Sequence, residues 1–507
     1  MKLRIRDLFK DIVVYGTGDI LLRSTALITM PIYTRIFTSQ EYGIWSLVIT
    51  VIGLLNGILI LGGDSAYARF FFEAKSLREK QLLTTTWFGF LTLWSGGMIL
   101  LCLPFSMFFS QWSFGTNKYG QLFILALVTA PVSLINTMCG QVLRNQFRSK
   151  LFITLNFFST LLSVGLSLFA AVILDLGLVG VLGGTLIGTV IILPIRIWTA
   201  RTMLNLMFSF RVLRNMLAFG VPLVPTTLAY WIFASSDRLV IGKLSTLDEL
   251  GLYTVAITAS SLLGLVNGAL GQAWSPYAIK IYEEQPNESP ALFGMVLTYI
   301  MVGFGLLCVF ITTFAHEVLM VLSTPTFYPA AIAMGPLTLG FMAYASTQVT
   351  AIGISITKKT NYFASFSWMA AVMNLILNIL LVPKWGMIAA SWTTAASYTF
   401  LTIAYFMTSQ RLFPVVYEKW RVLAVVGLTF GFVLLVPFLP EMTLITCLVV
   451  KIMYCLIYVS FLFVLRILDK REWQMLTSLL SKRNAVSDEG DKQVCSETQN
   501  SFTTRIS

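Results

Sequence analysis

The sequence predicts an all-α polytopic membrane protein of about fourteen transmembrane helices. It reads as two parallel six-helix lobes with two further helices at the C-terminal end. Three observations carry this. First, 57% of the 507 residues are hydrophobic and 11% charged, with a mean hydropathy of +0.80; soluble domains carry roughly 25% charge. Second, apolar runs long enough to cross a bilayer as helices follow one another along the chain. Third, the chain echoes itself at a nearly constant offset.

Taken in order, the runs lie near 12–34, 42–63, 82–104, 121–141, 152–174, 177–198, 213–234, 250–271, 291–314, 328–352, 361–382, 386–408, 421–438 and 443–465. The first carries Asp19 and Arg23 and lacks a small-x-small end, so it reads as a span and not as a cleaved signal. The seventh opens with Pro222 and Pro225, which break the backbone ladder and predict a bend or unwound turn, a hinge. Small residues crowd the sixth from Gly177 to Gly188, a pattern that lets helices pack closely.

Net charge is +12, and the basic residues sit between apolar runs. With the N-terminus inside, one face holds Lys2, Arg4, Arg6, Lys10, Arg69, Lys75, Arg78, Lys80, Arg144, Arg148 and Lys150 among others. The opposite face holds only Arg35, Lys118, Arg238, Lys243 and Lys384. This bias predicts cytoplasmic N- and C-termini and accounts for the basic balance without nucleic acid. Residues 467–507 form a polar, mixed-charge cytoplasmic tail, expected to be disordered after a short helix near 472–480.

The echoes divide the rest. Glu41-Tyr-Gly-Ile-Trp-Ser-Leu-Val-Ile-Thr50 answers Glu249-Leu-Gly-Leu-Tyr-Thr-Val-Ala-Ile-Thr258. Gly177-Leu-Val-Gly-Val answers Gly386-Met-Ile-Ala-Ala, and Tyr15-Gly16 answers Phe219-Gly220. Six spans, an even number, separate the copies, so both keep one orientation: a parallel repeat about an axis along the membrane normal. Lobes 1–205 and 206–410 follow, with residues 411–466 supplying spans 13 and 14.

Charges inside spans mark candidate work. Arg23 lies near mid-span, where a charge costs roughly 2.5–3.5 kcal/mol, and calls for a wet cavity or a partner. Asp19, four residues earlier, shares its helical face and either neutralises it or tunes it. Arg69 follows Asp64 at the cytoplasmic end of span 2, and Asp237 with Arg238 caps the outer end of span 7. Asp64, Asp237 and Arg238 are therefore gate or coupling candidates. Asn374 and Asn378 share a face, as interhelical glue or as the lining of a sugar-compatible cavity. Lys451 lies about 12 Å deep at 1.5 Å per residue; it either snorkels to the outer interface or guides an anionic group along spans 13 and 14. With one histidine, His316, and no metal-ligand cluster among the six cysteines, metal binding and hydrolytic or transferase chemistry have little to stand on.

Pro31-Ile-Tyr-Thr-Arg-Ile-Phe37 with Glu41-Tyr-Gly43, Ala68-Arg-Phe-Phe-Phe-Glu73, Phe219-Gly-Val-Pro-Leu-Val-Pro225, Asp237-Arg238-Leu-Val-Ile-Gly242, Leu250-Gly-Leu-Tyr-Thr-Val-Ala256 and Ala273-Trp-Ser-Pro-Tyr277, in this order and spacing, resemble the Wzx-type polysaccharide flippases. That family belongs to the group that includes the MATE drug exporters and the lipid II flippases. The resemblance implies a MATE-like fold and no enzymatic activity. It implies passage of polyprenyl-diphosphate-linked oligosaccharide through a cationic central cavity of a bacterial cytoplasmic membrane. Arg23, Asp19, Arg69, Asn374, Asn378 and Lys451 would meet the substrate. Partners would be membrane lipid and the polymerase and glycosyltransferases of the same pathway. No cofactor is implied, and H+ or Na+ stays open as the coupling ion. A MATE-like exporter of small molecules is the alternative, with Asp19 in its favour. A membrane-embedded polymerase or acyltransferase is a further one, against which the short outer connections count.

Overall fold

The computed structural model describes residues 25–205, 207–439 and 444–467. Arg23 and Asp19, with most of the first span, lie outside the described residues, as does the tail beyond 467. Among the described residues there is no strand. Eleven helices are long and apolar enough to cross a membrane. The pair Leu247–Ser260 and Leu262–Glu284, bent by 41°, makes a twelfth.

One of the eleven is two spans in fact. Asn361–Leu412 runs as a single helical element except at Gly386, where φ is 54° and ψ −134°. Thr393 Oγ1 donates to Asn378 Oδ1 at 2.5 Å, and Ser367 Oγ lies 3.3 Å from Tyr405 Oη. A straight helix would hold these pairs roughly 22 and 57 Å apart. The chain therefore doubles back at Gly386, and the expected spans 11 and 12 are an antiparallel hairpin. Gly177, the echo of Gly386, carries a φ of 53° at the turn between spans 5 and 6. Only glycine takes this left-handed conformation without strain, so the two copies share a turn as well as a sequence. The expected count of fourteen is not reached among the described residues, because the first span is described only from 25.

Several helix starts are sealed by side chains. Thr38 and Glu41 form a reciprocal cap on Ser39–Leu59, as Ser76 and Glu79 do on Leu77–Cys102. The small residues of span 6 do what their pattern predicts. A Cβ added at Gly180, Gly184 or Gly188 would fall within 2.7 Å of the backbone of Ala170, Ser167 or Ser163, so span 6 lies backbone to backbone on span 5.

Two features depart from the simple division of the chain. The helix Phe210–Gly220, read as the start of span 7, lays Leu213 and Met216 on a core built from Tyr67, Phe71, Leu83, Trp87 and Met138 of the first lobe. The link before it is sewn to span 3: Gln81 Nε2 donates to Thr202 O, and the amides of Asn205 and Ser209 donate to Thr85 and Thr86. Pro222 falls in the 3-10 turn Val221–Leu223, and Pro225 in the first turn of Val224–Leu244.

Spans 13 and 14 are not loose additions either. Thr298 Oγ1 donates to Glu418 at 2.7 Å, the Thr429 and Tyr458 hydroxyls lie 2.8 Å apart, and Gly305 of span 9 sits against both. Burial holds the Tyr417 phenol, in the link before span 13, well above its ordinary value.

Candidate functional site

The two echoing segments meet face to face. A Cβ on Gly43 would lie 2.1 Å from Leu247 O, and a Cβ on Gly251 would lie 1.9 Å from Ser39 O. Each glycine admits the backbone of the other helix at the equivalent residue, so the contact obeys a local two-fold. Ser39 Oγ donates to Asp248, and Thr254 Oγ1 donates to Ser46 Oγ at 2.8 Å. Contact positions climb together along both helices, 39 with 248, 43 with 251 and 46 with 254. The helices therefore run parallel, as the even number of intervening spans requires.

More contacts close this end of the bundle. Thr34 Oγ1 bonds Leu322 O at 3.3 Å, Thr324 Oγ1 bonds Thr34 O at 3.2 Å, and Tyr42 packs edge-on against Phe327 at 5.7 Å. Lys243 Nζ donates to Trp112 O and lies over the Trp112 ring. Among the described residues no ion pair crosses the seam. Hydrogen bonds between membrane helices average only about 0.6 kcal/mol. The hydroxyl bonds of the seam are individually weak, apart from the charge-assisted one to Asp248.

At the other end Gly62 meets Gly220 backbone to backbone. Arg69 pairs with Glu73 at 2.9 Å and places its guanidinium 4.7 Å from the Phe219 ring centroid; its side chain is 56% exposed. Asp64 is half-buried in the first turn of Gly63–Glu73. Arg69 and Asp64 thus stand where the start of span 7 crosses the end of span 2.

Asp237 and Arg238 point apart. Asp237, 3% exposed, accepts from the Tyr253 hydroxyl and from the Arg238 amide; Arg238 is half-buried. Beside Asp237 a chain of neutral groups runs from Ser236 Oγ to Asn374 Oδ1, from Asn378 Nδ2 to Asn374 Oδ1 at 2.9 Å, and from Thr393 to Asn378. Asn374 and Asn378 are 1% and 0% exposed, and Asn374 Nδ2 has no partner. Both asparagines tie span 7 to the 361–412 hairpin and line no open cavity in this conformation. Other span amides also join helices: Ser133 donates to Asn56, Gln348 to Asn267, and Asn136 to Thr189 O. His316 stacks edge-on against Tyr328 at 4.9 Å.

Lys451 neither snorkels nor stands free to guide an anion. Its Nζ lies 2.6 and 2.8 Å from the two Glu317 oxygens, with side-chain exposures of 12% and 20%. The pair pins span 14 to the short helix Ala315–Leu322. Lys451→Ala should leave Glu317 uncompensated and destabilise the fold by roughly 3–5 kcal/mol. The swap of Glu317→Lys with Lys451→Glu should recover most of that in thermal unfolding of purified protein. An additive double variant would show that the pair does not couple.

Sequence reading missed Arg196. It lies two residues before the end of the run 177–198, where a positive charge draws no notice. In the structure it is buried, as is described further below.

The chain matches a family model described as "Polysaccharide biosynthesis protein" over residues 32–322, more than half its length. An uncharacterized membrane protein of Methanocaldococcus jannaschii is 24% identical over 286 residues, which are 55% of this chain and 56% of that protein. The match thus spans little more than half the length of that relative. Among solved structures, the lipid II flippase MurJ in an inward closed conformation superposes with a TM-score of 0.68 at 13% identity, over 91% of this chain and 99% of that one. A multidrug resistance MATE family transporter in an inward-facing conformation superposes with a TM-score of 0.62 at 15% identity, over 80% and 95%. At these identities the likeness shows the fold.

Proposed function

Since the chain belongs to the polysaccharide biosynthesis protein family, we propose that it is a flippase for polyprenyl-diphosphate-linked oligosaccharide, working by alternating access. The observation that carries the reading is the two-fold seam. Polar sugars and diphosphate lose their water in hydrocarbon without replacement, so they need a polar path. A path that opens to one side at a time needs a closure that parts without great cost. Backbone-to-backbone contact through Gly43 and Gly251, with hydroxyl bonds and, among the described residues, no ion pair, has that character.

In this reading the seam is the outer gate of a cytoplasmic-membrane protein with both termini inside. The crossing of Arg69, Phe219 and Gly220 is the inner one. Arg23, a residue outside the described ones, meets the diphosphate, and Asp19 tunes it. Asp237 is the coupling group: a buried carboxylate that accepts from the Tyr253 hydroxyl and the Arg238 amide and has no cation partner among the described residues offers a place to H+ or Na+. The hinge falls at Pro222 and Pro225, between the helix docked on the first lobe and the rest of span 7. Partners would be membrane lipid and the polymerase and glycosyltransferases that consume and supply the repeat unit.

The test is reconstitution. Vesicles containing the protein should expose a fluorescent polyprenyl-diphosphate oligosaccharide to an impermeant quencher faster than empty vesicles do. A cationic dye should not be carried. Dye transport without lipid flipping would replace this reading by a small-molecule exporter. Orientation has its own check: an impermeant maleimide should label Asn117→Cys but not Ser76→Cys in intact cells, both sites being exposed. Labelling at position 76 would invert the topology.

A further inference from the structure

We propose that the first lobe holds a phosphate-binding pocket built around Arg196, on ligands carrying a phosphate or diphosphate ester. Arg196 lies in the helix Gly177–Ala200 and is 6% exposed. Its guanidinium donates to Asn136 O at 3.2 Å, Leu155 O at 3.4 Å and Asn156 Oδ1 at 2.7 Å. All three acceptors are neutral. Among the described residues no carboxylate pairs with it. A buried cation inside a membrane bundle ordinarily has a counter-charge, because removing it from water is costly. Here the protein supplies hydrogen bonds and no charge.

Two groups are left unsatisfied beside it. Arg196 Nε has no acceptor, and Asn136 Oδ1 has no donor. Both residues border a cavity of about 320 Å³, which Ser133, Gln141, Arg144 and Asn156 also line. That volume lies at the lower end of small-ligand sites, which run from about 300 to 1,000 Å³. The lining is polar although span 5, which forms one wall, is a mostly lipid-exposed helix with 11% of its apolar window buried.

The chemistry of the wall selects the ligand. Two arginines and no acid favour an anion of more than one charge. The planar guanidinium fork matches phosphate oxygens and forms short, charge-assisted hydrogen bonds with them. Asn136 Oδ1 takes a hydroxyl donor, which a protonated phosphate oxygen or an adjoining alcohol provides. Arg144 is exposed and carries the second charge to solvent. No residue of the seam takes part, and the pocket lies within spans 4, 5 and 6.

Free diphosphate and a lipid headgroup share this chemistry, and binding measurements separate them. Full-length protein in phosphatidylcholine nanodiscs should unfold at a higher temperature as inorganic pyrophosphate is added. Nanodiscs containing phosphatidic acid, whose phosphomonoester carries a second ionisable oxygen, should show that lipid retained on the protein in native mass spectrometry. Arg196→Gln should weaken whichever probe binds by about tenfold, the worth of one charge-assisted hydrogen bond. Arg196→Lys should weaken it less. Arg144→Gln, at an exposed position, tests the same pocket should Arg196→Gln fail to fold, and should also weaken binding. A pyrophosphate response assigns the pocket to a free diphosphate; lipid retention alone assigns it to a headgroup. Absence of both, or equal binding by wild type and the folded variants, would overturn the proposal. None of these readouts requires transport, so the pocket and the flippase reading stand or fall separately.

Discussion

Ser46→Cys combined with Thr254→Cys should stop transport when the pair is oxidised and restore it on reduction. The two hydroxyl oxygens lie 2.8 Å apart across the seam, on parallel helices that touch at Gly43 and Gly251. Side chains this close suit a disulfide, whose Cβ atoms stand about 3.8 Å apart. A covalent bond then holds the seam shut, and the gate proposed there cannot part. Flipping should fall to the level of empty vesicles, with the linked peptides identified by mass spectrometry. Ser46→Cys alone, under the same oxidant, should flip normally. Flipping at the wild-type rate by the fully linked protein would show that the seam stays shut throughout the cycle, and alternating access at this seam would be lost with it.

The repeat was readable in the sequence, and the seam it forms was not, for a physical reason. A close backbone approach admits only glycine, and a two-fold contact demands the same small residue in both copies. The echo of Glu41–Thr50 in Glu249–Thr258 is therefore the trace of the contact itself. Gly177 and Gly386 were readable likewise, since a left-handed turn selects glycine in each copy. Local patterns of this kind survive in one dimension.

Partnerships across the fold do not. Glu317 and Lys451 are 134 positions apart, and nothing near Lys451 announces an acid. Hence a lysine deep in a span looked like a candidate for substrate when it is half of a clamp. Arg196 was hidden by its place near the end of its run, where positive charges are routine. Its burial comes from span 5 leaning over it through the glycines of span 6. The helix 210–220 runs on into span 7 as read, but its docking on the first lobe was hidden, because an apolar face has the same period whether it meets lipid or protein.

Arg23→Ala should abolish flipping while leaving the protein inserted and at normal abundance. Arg23 is placed by the sequence near the middle of the first span, where the charge costs roughly 2.5–3.5 kcal/mol. A span tolerates that charge only where the residue faces water, a partner or an anion. Asp19 stands four residues earlier on the same face, so two roles compete. As a locked pair, the two charges neutralise each other, and loss of either leaves its neighbour exposed to hydrocarbon. As a substrate contact, Arg23 meets the diphosphate and Asp19 adjusts its strength. The variants separate the roles. Arg23→Lys keeps the charge without the bidentate fork and should retain part of the flipping if the contact is to phosphate. Asp19→Ala should then slow flipping without abolishing it, and the double Ala variant should be as inactive as Arg23→Ala. If the double variant regains what each single variant loses, the pair is structural and the diphosphate contact must lie elsewhere. If Arg23→Ala flips the lipid-linked sugar at the wild-type rate at matched abundance, the first span carries no substrate contact.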